Sequence, residues 1–114
     1  MFVKNSKTSN NENLQKKLQE IKNQEGIIGY ILRSSKSASI DLKDPTKMIE
    51  YAVLSSTVFD TSNDLTNTLQ IGAVTTILVE SEKMKLLLMN INDNRLSIFM
   101  EKNVDHNKLY KNLK

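Results

Sequence analysis

The sequence has no cysteine, one histidine, one proline and three glycines. Without cysteine there is no disulfide, no thiolate nucleophile and no cysteine-bound metal, which fits a reducing compartment and makes the cytoplasm the simplest location. The single histidine, His106, stands in a polar turn, so a multi-histidine metal site is excluded and a catalytic triad finds no support. Gly26 and Gly29 are spaced G-x-x-G but open a strand, whereas a phosphate-cradling loop joins a strand to a helix. Aromatics are sparse: Tyr30, Tyr51, Tyr110 and three phenylalanines do not alternate with basic residues as a base-stacking platform would. No apolar run approaches membrane-spanning length, and the start, Met1-Phe2-Val3 followed by polar residues, lacks the apolar stretch of a signal peptide.

What is present is ordinary globular composition, with 39% hydrophobic and 25% charged residues in 114. That length holds one core and no second independent one. The net charge of +3 is spread from Lys4 to Lys114 rather than gathered on one face, which gives nucleic-acid binding little support.

Lys4 to Asn13 is almost wholly polar, and residues 1–12 read as a flexible polar leader before a single domain, 13–114. Leu14, Leu18 and Ile21 then follow helical spacing and predict a short helix from Asn13 to Asn23 that needs tertiary support. Gly26 closes it. Ile27 to Leu32 reads as a buried strand, and Ala38, Ile40 and Leu42 alternate with Ser39 and Asp41 to complete a hairpin. Asp44-Pro45 supplies a cap and a first helical residue, and predicts a long helix from Pro45 to about Thr68. Three strands follow, at Ala73 to Glu80, Met84 to Ile91 and Arg95 to Glu101, with turns at Ser81-Glu82 and Asn92-Asp93-Asn94. A terminal helix is expected within Val104 to Lys114. The order α-β-β-α-β-β-β-α predicts an α+β fold with a five-stranded antiparallel sheet. Because Tyr30-Ile31-Leu32 and Leu86-Leu87-Leu88-Met89 are apolar on both strand faces, that sheet is expected between helical layers.

The long helix is the most informative element. At about 100° per residue, Met48, Tyr51, Ala52, Leu54, Ser55, Val58, Phe59, Leu65 and Leu69 share an arc wider than one sheet contact requires. Ile49 and Val53 fall outside that arc, beside the small residues Ala52 and Ser56. They are either scattered surface residues or the seat of a partner helix. The strand from Ala73 to Val79 has no proline or lysine guarding it, and at the sheet's rim it would invite pairing with its own copy; another strand of the same chain could equally cover it.

Carboxylates such as Asp41, Asp44, Glu80, Glu82 and Asp93 lie in or beside turns, where acidic residues have local uses. Asn92-Asp93-Asn94 lacks the glycine and closing glutamate of a calcium loop. The residues point to no enzyme, no metal and no cofactor.

The stretch Glu25-Gly26-Ile27-Ile28-Gly29-Tyr30-Ile31-Leu32-Arg33-Ser34 resembles the opening of roadblock (dynein light chain) domains, and the order of elements from Leu14 to Leu113 is similar to theirs. Ser35-Lys36-Ser37 departs from the glycine common in that family's first hairpin turn. The resemblance implies a roadblock-like sandwich, a homodimer or a heterodimer with a related chain, and a non-enzymatic scaffold for small Ras-like GTPases. On this reading Ile49, Ala52, Val53, Ser56 and Phe59 of the helix form the dimer contact. Val74, Thr76 and Leu78 of the third strand complete it. An alternative is a PAS or profilin-like sensory domain enclosing a small ligand.

Overall fold

The structure is a computed structural model that describes residues 6–70, 72 and 75–113. Its elements are α1 (Ser6–Lys22), β1 (Ile27–Arg33), β2 (Ala38–Leu42), a 3-10 turn (Pro45–Lys47), α2 (Met48–Leu69), β3 (Thr76–Glu80), β4 (Met84–Ile91), β5 (Asn94–Glu101) and α3 (His106–Leu113). The five strands form one antiparallel sheet in the order β2-β1-β5-β4-β3. The expected α+β architecture is therefore present, with β2 and β3 as its two edges.

Two apolar layers sandwich this sheet. On one face Leu14, Leu18 and Ile21 of α1 and Leu109 and Leu113 of α3 pack against Tyr30, Leu87 and Ile98. On the other, Phe59 of α2 joins Ile31, Leu86, Leu88 and Phe99. The three apolar residues of α1 are almost completely buried. Each contributes roughly 1.5–3 kcal/mol of transfer free energy, which anchors a helix too polar to persist alone. That anchoring explains a difference from the sequence reading: α1 starts at Ser6, not Asn13. Once a docked segment has nucleated a helix, each added residue gains a hydrogen bond without a new nucleation cost. Residues 1–5 of the expected leader lie outside the described residues.

Turn chemistry sets the hairpins. The Ser34 hydroxyl accepts the N–H groups of Lys36 and Ser37 at 3.3 and 3.1 Å. A hydroxyl thus closes the first turn where a glycine was missing. Ser81 does the same for Lys83 and Met84, at 3.4 and 3.1 Å. Between β4 and β5, Asn92 (φ 50°) and Asp93 (φ 63°) are both left-handed, the pairing that makes a two-residue turn follow the strand twist. Asp44 caps the 3-10 turn by accepting the Thr46 N–H at 3.1 Å. The Thr46 hydrogen bonds hold its carboxyl below the usual range. The third strand begins at Thr76; Ala73 and Val74, expected within it, lie outside the described residues.

Candidate interaction surface

Helix α2 lies along β5, and the match is one of pitch. Tyr51 stacks on Phe99 with centroids 4.4 Å apart and planes 11° from parallel. Four residues later Ser55 hydrogen-bonds Ser97. Four more bring Phe59 beneath the Arg95 guanidinium, 5.2 Å from the ring centroid. A helix advances about 6 Å over four residues and a strand about 6.6 Å over two, so the two elements stay in step while running in opposite directions.

This seat decides what α2 covers. Adjacent strands are about 4.8 Å apart, so β2 and β3, each two strands from β5, lie about 10 Å to either side of the helix axis. An α-helix with side chains is about 10–12 Å across and does not reach both rims. On the β2 flank this leaves a trough.

On the β2 side the hollow has a volume of about 280 Å³, with Arg33, Ala38 and Ile40 on the strand side and Ala52, Ser56 and Phe59 on the helix side. Arg33 Nη1 donates to Ser56 Oγ at 2.9 Å, and Arg95 pairs with Asp60 at 3.4 Å. With Ser56 turned toward β1, helical geometry turns Leu54, Val58 and Leu65 the other way, toward β3. Val58 packs in the same apolar cluster as Ile77 and Val79 of β3.

The exposed surface of α2 carries six large apolar side chains beside Glu50, Thr57, Asp60, Thr61 and Asp64. Ile49 is 75% exposed, Val53 60%, Leu65 58% and Leu69 57%, with Met48 and Leu54 also exposed. Four of these, Met48, Leu54, Leu65 and Leu69, belong to the arc that is wider than one sheet contact requires. Only Ser55 and Phe59 of α2 are fully buried, because a helix centred on one strand inserts a narrow stripe.

The eight residues expected at a partner contact scatter accordingly. Ile49 and Val53 lie on the open outer side, and Ala52 and Ser56 line the β2 trough. Phe59 is 2% exposed, at the floor of that trough under Arg95. Thr76 and Leu78 alternate with Ile77 and Val79, which places them on the sheet face opposite α2 although their backbone still forms the edge. Val74 lies outside the described residues. Leu54 and Leu65 on the β3 flank were read as part of the apolar arc but not as contact residues, and Arg33 at the mouth of the β2 trough was not singled out from sequence. Nothing in the pattern distinguishes them until the helix axis is placed.

Elsewhere several ionisable groups have structural partners. Gln19 donates to the Tyr30 hydroxyl at 3.0 Å, and Lys22 pairs with Asp41. Burial, and next the Asp41 charge, push the Tyr30 phenol above its usual value. His106 Nδ1 lies 3.0 Å from Lys85 Nζ, which also donates to the Val104 carbonyl. Among the described residues no group of three or more His, Cys, Asp or Glu side chains is placed to hold a metal, and no helix is long and apolar enough to cross a membrane.

Solved structures share this arrangement. A roadblock/LC7 domain from Streptomyces avermitilis is 15% identical and superposes with a TM-score of 0.65, over 87% of this chain and 83% of that one. The chain has the roadblock/LC7 fold. Gliding protein MglB from Thermus thermophilus shares the roadblock fold at 13% identity and a TM-score of 0.67, over 98% and 86% of the two chains. MglC from Myxococcus xanthus does so at 22% identity and a TM-score of 0.56, over 88% and 89%. No family model and no curated protein matches the sequence.

Proposed function

We propose that this roadblock chain is a non-enzymatic, cytoplasmic dimerisation scaffold. It pairs with a second copy or a related chain through the outer side of α2 and the edge of β3, and so forms a platform for a small Ras-like GTPase. The carrying observation is that six of the eight large hydrophobic side chains exposed among the described residues sit on α2 alone. Clustered apolar exposure of this kind marks an interface rather than ordinary surface. The GTPase enters through the roadblock resemblance, and the likeness to a gliding protein is consistent with a regulatory partner of that kind.

Charge on the outer side of α2 supports one register of that pairing over another. Leu54, Thr61 and Thr68 recur every seven residues, with Thr57 and Leu65 between them. In an antiparallel pair centred on Thr57, Glu50 would oppose Asp64 of the second copy, a repulsive match of like charges. Centring the axis on Thr61 sets Leu54 against Thr68 and Thr57 against Leu65 instead. One helix and one strand edge can supply the burial of about 800 Å² per partner that a stable dimer needs.

Because the chain has no cysteine, the test is clean. Under mild oxidation T61C is expected to form a disulfide-linked dimer while E50C stays monomeric, and sedimentation of the wild-type chain at micromolar concentration should show a dimer. L54D together with L65D should yield a folded monomer by circular dichroism. A wild-type monomer would defeat the dimer. For the GTPase, the immobilised dimer should retain a protein from native extract that releases guanine nucleotide on denaturation; eluates without guanine nucleotide would remove that part of the proposal.

A further inference from the structure

The trough on the β2 side has no role in the pairing proposed above, and its features converge on one kind of occupant. Strand β2 is a sheet edge, and among the described residues no backbone hydrogen bond reaches its outer side. Its five residues contain neither proline nor lysine, the usual guards of an edge. The side chains divide by face. Ser39 and Asp41 are held by α1, through Gln15, Gln19 and Lys22. Ala38 and Ile40 open onto the trough, and Ile40 is 37% exposed.

An unpaired edge beside an apolar hollow, with a helix as the far wall, is the geometry in which an extended peptide adds as a further strand. Main-chain hydrogen bonds supply affinity, and alternate side chains enter the hollow. Charge then sets the direction. Arg33 lies opposite Ala38 in the β1–β2 register, so its guanidinium stands at the N-terminal end of β2. A strand added antiparallel to β2 brings its C-terminal end to that position, whereas a parallel strand would bring its N-terminal end there. Of the two guanidiniums at the trough, Arg95 is matched by Asp60, and Arg33 meets the uncharged Ser56 hydroxyl. Asp93 lines the adjoining hollow with Arg33 and Arg95, and sets a limit on how much negative charge that end accepts. A single carboxylate fits this balance better than a phosphate or an acidic cluster.

We propose that the β2–α2 trough binds the extended C-terminal segment of a partner protein as a sixth, antiparallel strand. Alternate apolar side chains of that segment face Ala38 and Ile40, and its terminal carboxylate is held by Arg33. The hollow of about 280 Å³ accommodates one or two branched aliphatic side chains, which makes the specificity apolar-x-apolar ending in a free carboxylate.

The probe is a fluorescein-labelled hexapeptide, Thr-Val-Thr-Val-Thr-Val, as the free acid and as the C-terminal amide, titrated into the full chain by fluorescence polarisation. The free acid is expected to bind saturably and the amide about five- to tenfold more weakly, the scale of one charge-assisted hydrogen-bonded pair. R33M should equalise the two peptides without changing the fold, and I40D should weaken both. In amide spectra of the labelled chain, the shifts should centre on residues 38–42. Three results would overturn the proposal: no saturation by the free acid, equal affinity for acid and amide in the wild-type chain, or shifts centred on β3. Hexanoate is a control for a small-ligand pocket; if it displaces the peptide fully and leaves the outer amides of β2 unshifted, the strand-addition reading is wrong. Because the trough and the proposed dimer seam lie on different sides of α2, L54D together with L65D should abolish dimerisation and retain peptide binding, so the two proposals fail separately.

Discussion

The hydroxyl of Ser55 on α2 is hydrogen-bonded to the hydroxyl of Ser97 on β5 inside an otherwise apolar interface. Both residues are buried, so each hydroxyl depends on the other. Replacing one by alanine strands a buried polar group and should lower stability by about 1–3 kcal/mol, while S55A with S97A together should lie close to wild type. Urea denaturation of the four proteins measures this coupling. Additive losses in the double variant would show that the pair is not mutually dependent.

Lys85 is a further buried polar residue, at 6% exposure. Its ammonium donates to the Val104 carbonyl and to His106 Nδ1, and so ties β4 to the chain entering α3. K85M keeps the packed stem but leaves both acceptors without a donor. We expect a loss of about 1–3 kcal/mol, concentrated in α3. Hydrogen exchange should quicken at residues 109–113 before it does in the sheet; unchanged exchange there would count against the tether.

The Tyr30 phenol titrates above its usual range, through burial first and the Asp41 carboxylate second. The sign follows from linkage. The folded state holds the proton more tightly than the unfolded chain, so this contribution is fully present below a pH of about 10 and is lost as pH rises through the folded value. Ultraviolet titration should show one tyrosine ionising later than the others, and D41N should bring it earlier. Coincident titration of all three tyrosines would contradict the assignment.

Gly29 sits at the irregular point of the β1–β5 pairing with φ +156°. A Cβ there would stand 2.7 Å from the Leu42 Cα and inside van der Waals contact of the Asp41 carbonyl oxygen, both backbone atoms of β2. G29A should therefore cost at least about 1–3 kcal/mol, and G29V more, by forcing β2 away. Thermal denaturation checks the order. A G29A variant as stable as wild type would mean that β2 moves freely, which the peptide-binding proposal would then have to accommodate.

Much of this fold was legible before any coordinates. The hairpin of β1 and β2 declared itself through period-two alternation at Ala38, Ile40 and Leu42, and β4 through Leu86 to Met89 bounded by turn residues. Local signals also marked Asp44 as a cap, which it is for the 3-10 turn and not for the long helix, and a turn at Asn92-Asp93-Asn94, of which Asn94 already belongs to β5. The start of α1 was not legible, because residues 6–12 carry no apolar stripe and their helicity depends on the docking of Leu14, Leu18 and Ile21.

The sequence by itself determined the order of strands and helices, the two-faced apolar sheet and an α2 with more apolar residues than one contact can use. Each of those rests on local periodicity or turn chemistry, which neighbours in the chain fully specify. Only the tertiary structure decided which side of α2 is covered. Apolar residues surround most of that helix, so periodicity offers several inward centres of similar quality. The choice falls to the stacking of Tyr51 on Phe99, the Ser55–Ser97 hydrogen bond and the seat of Phe59 under Arg95. Those contacts join residues more than thirty positions apart. They place the helix over β5 and leave an open trough on the β2 side, and no local pattern encodes that position.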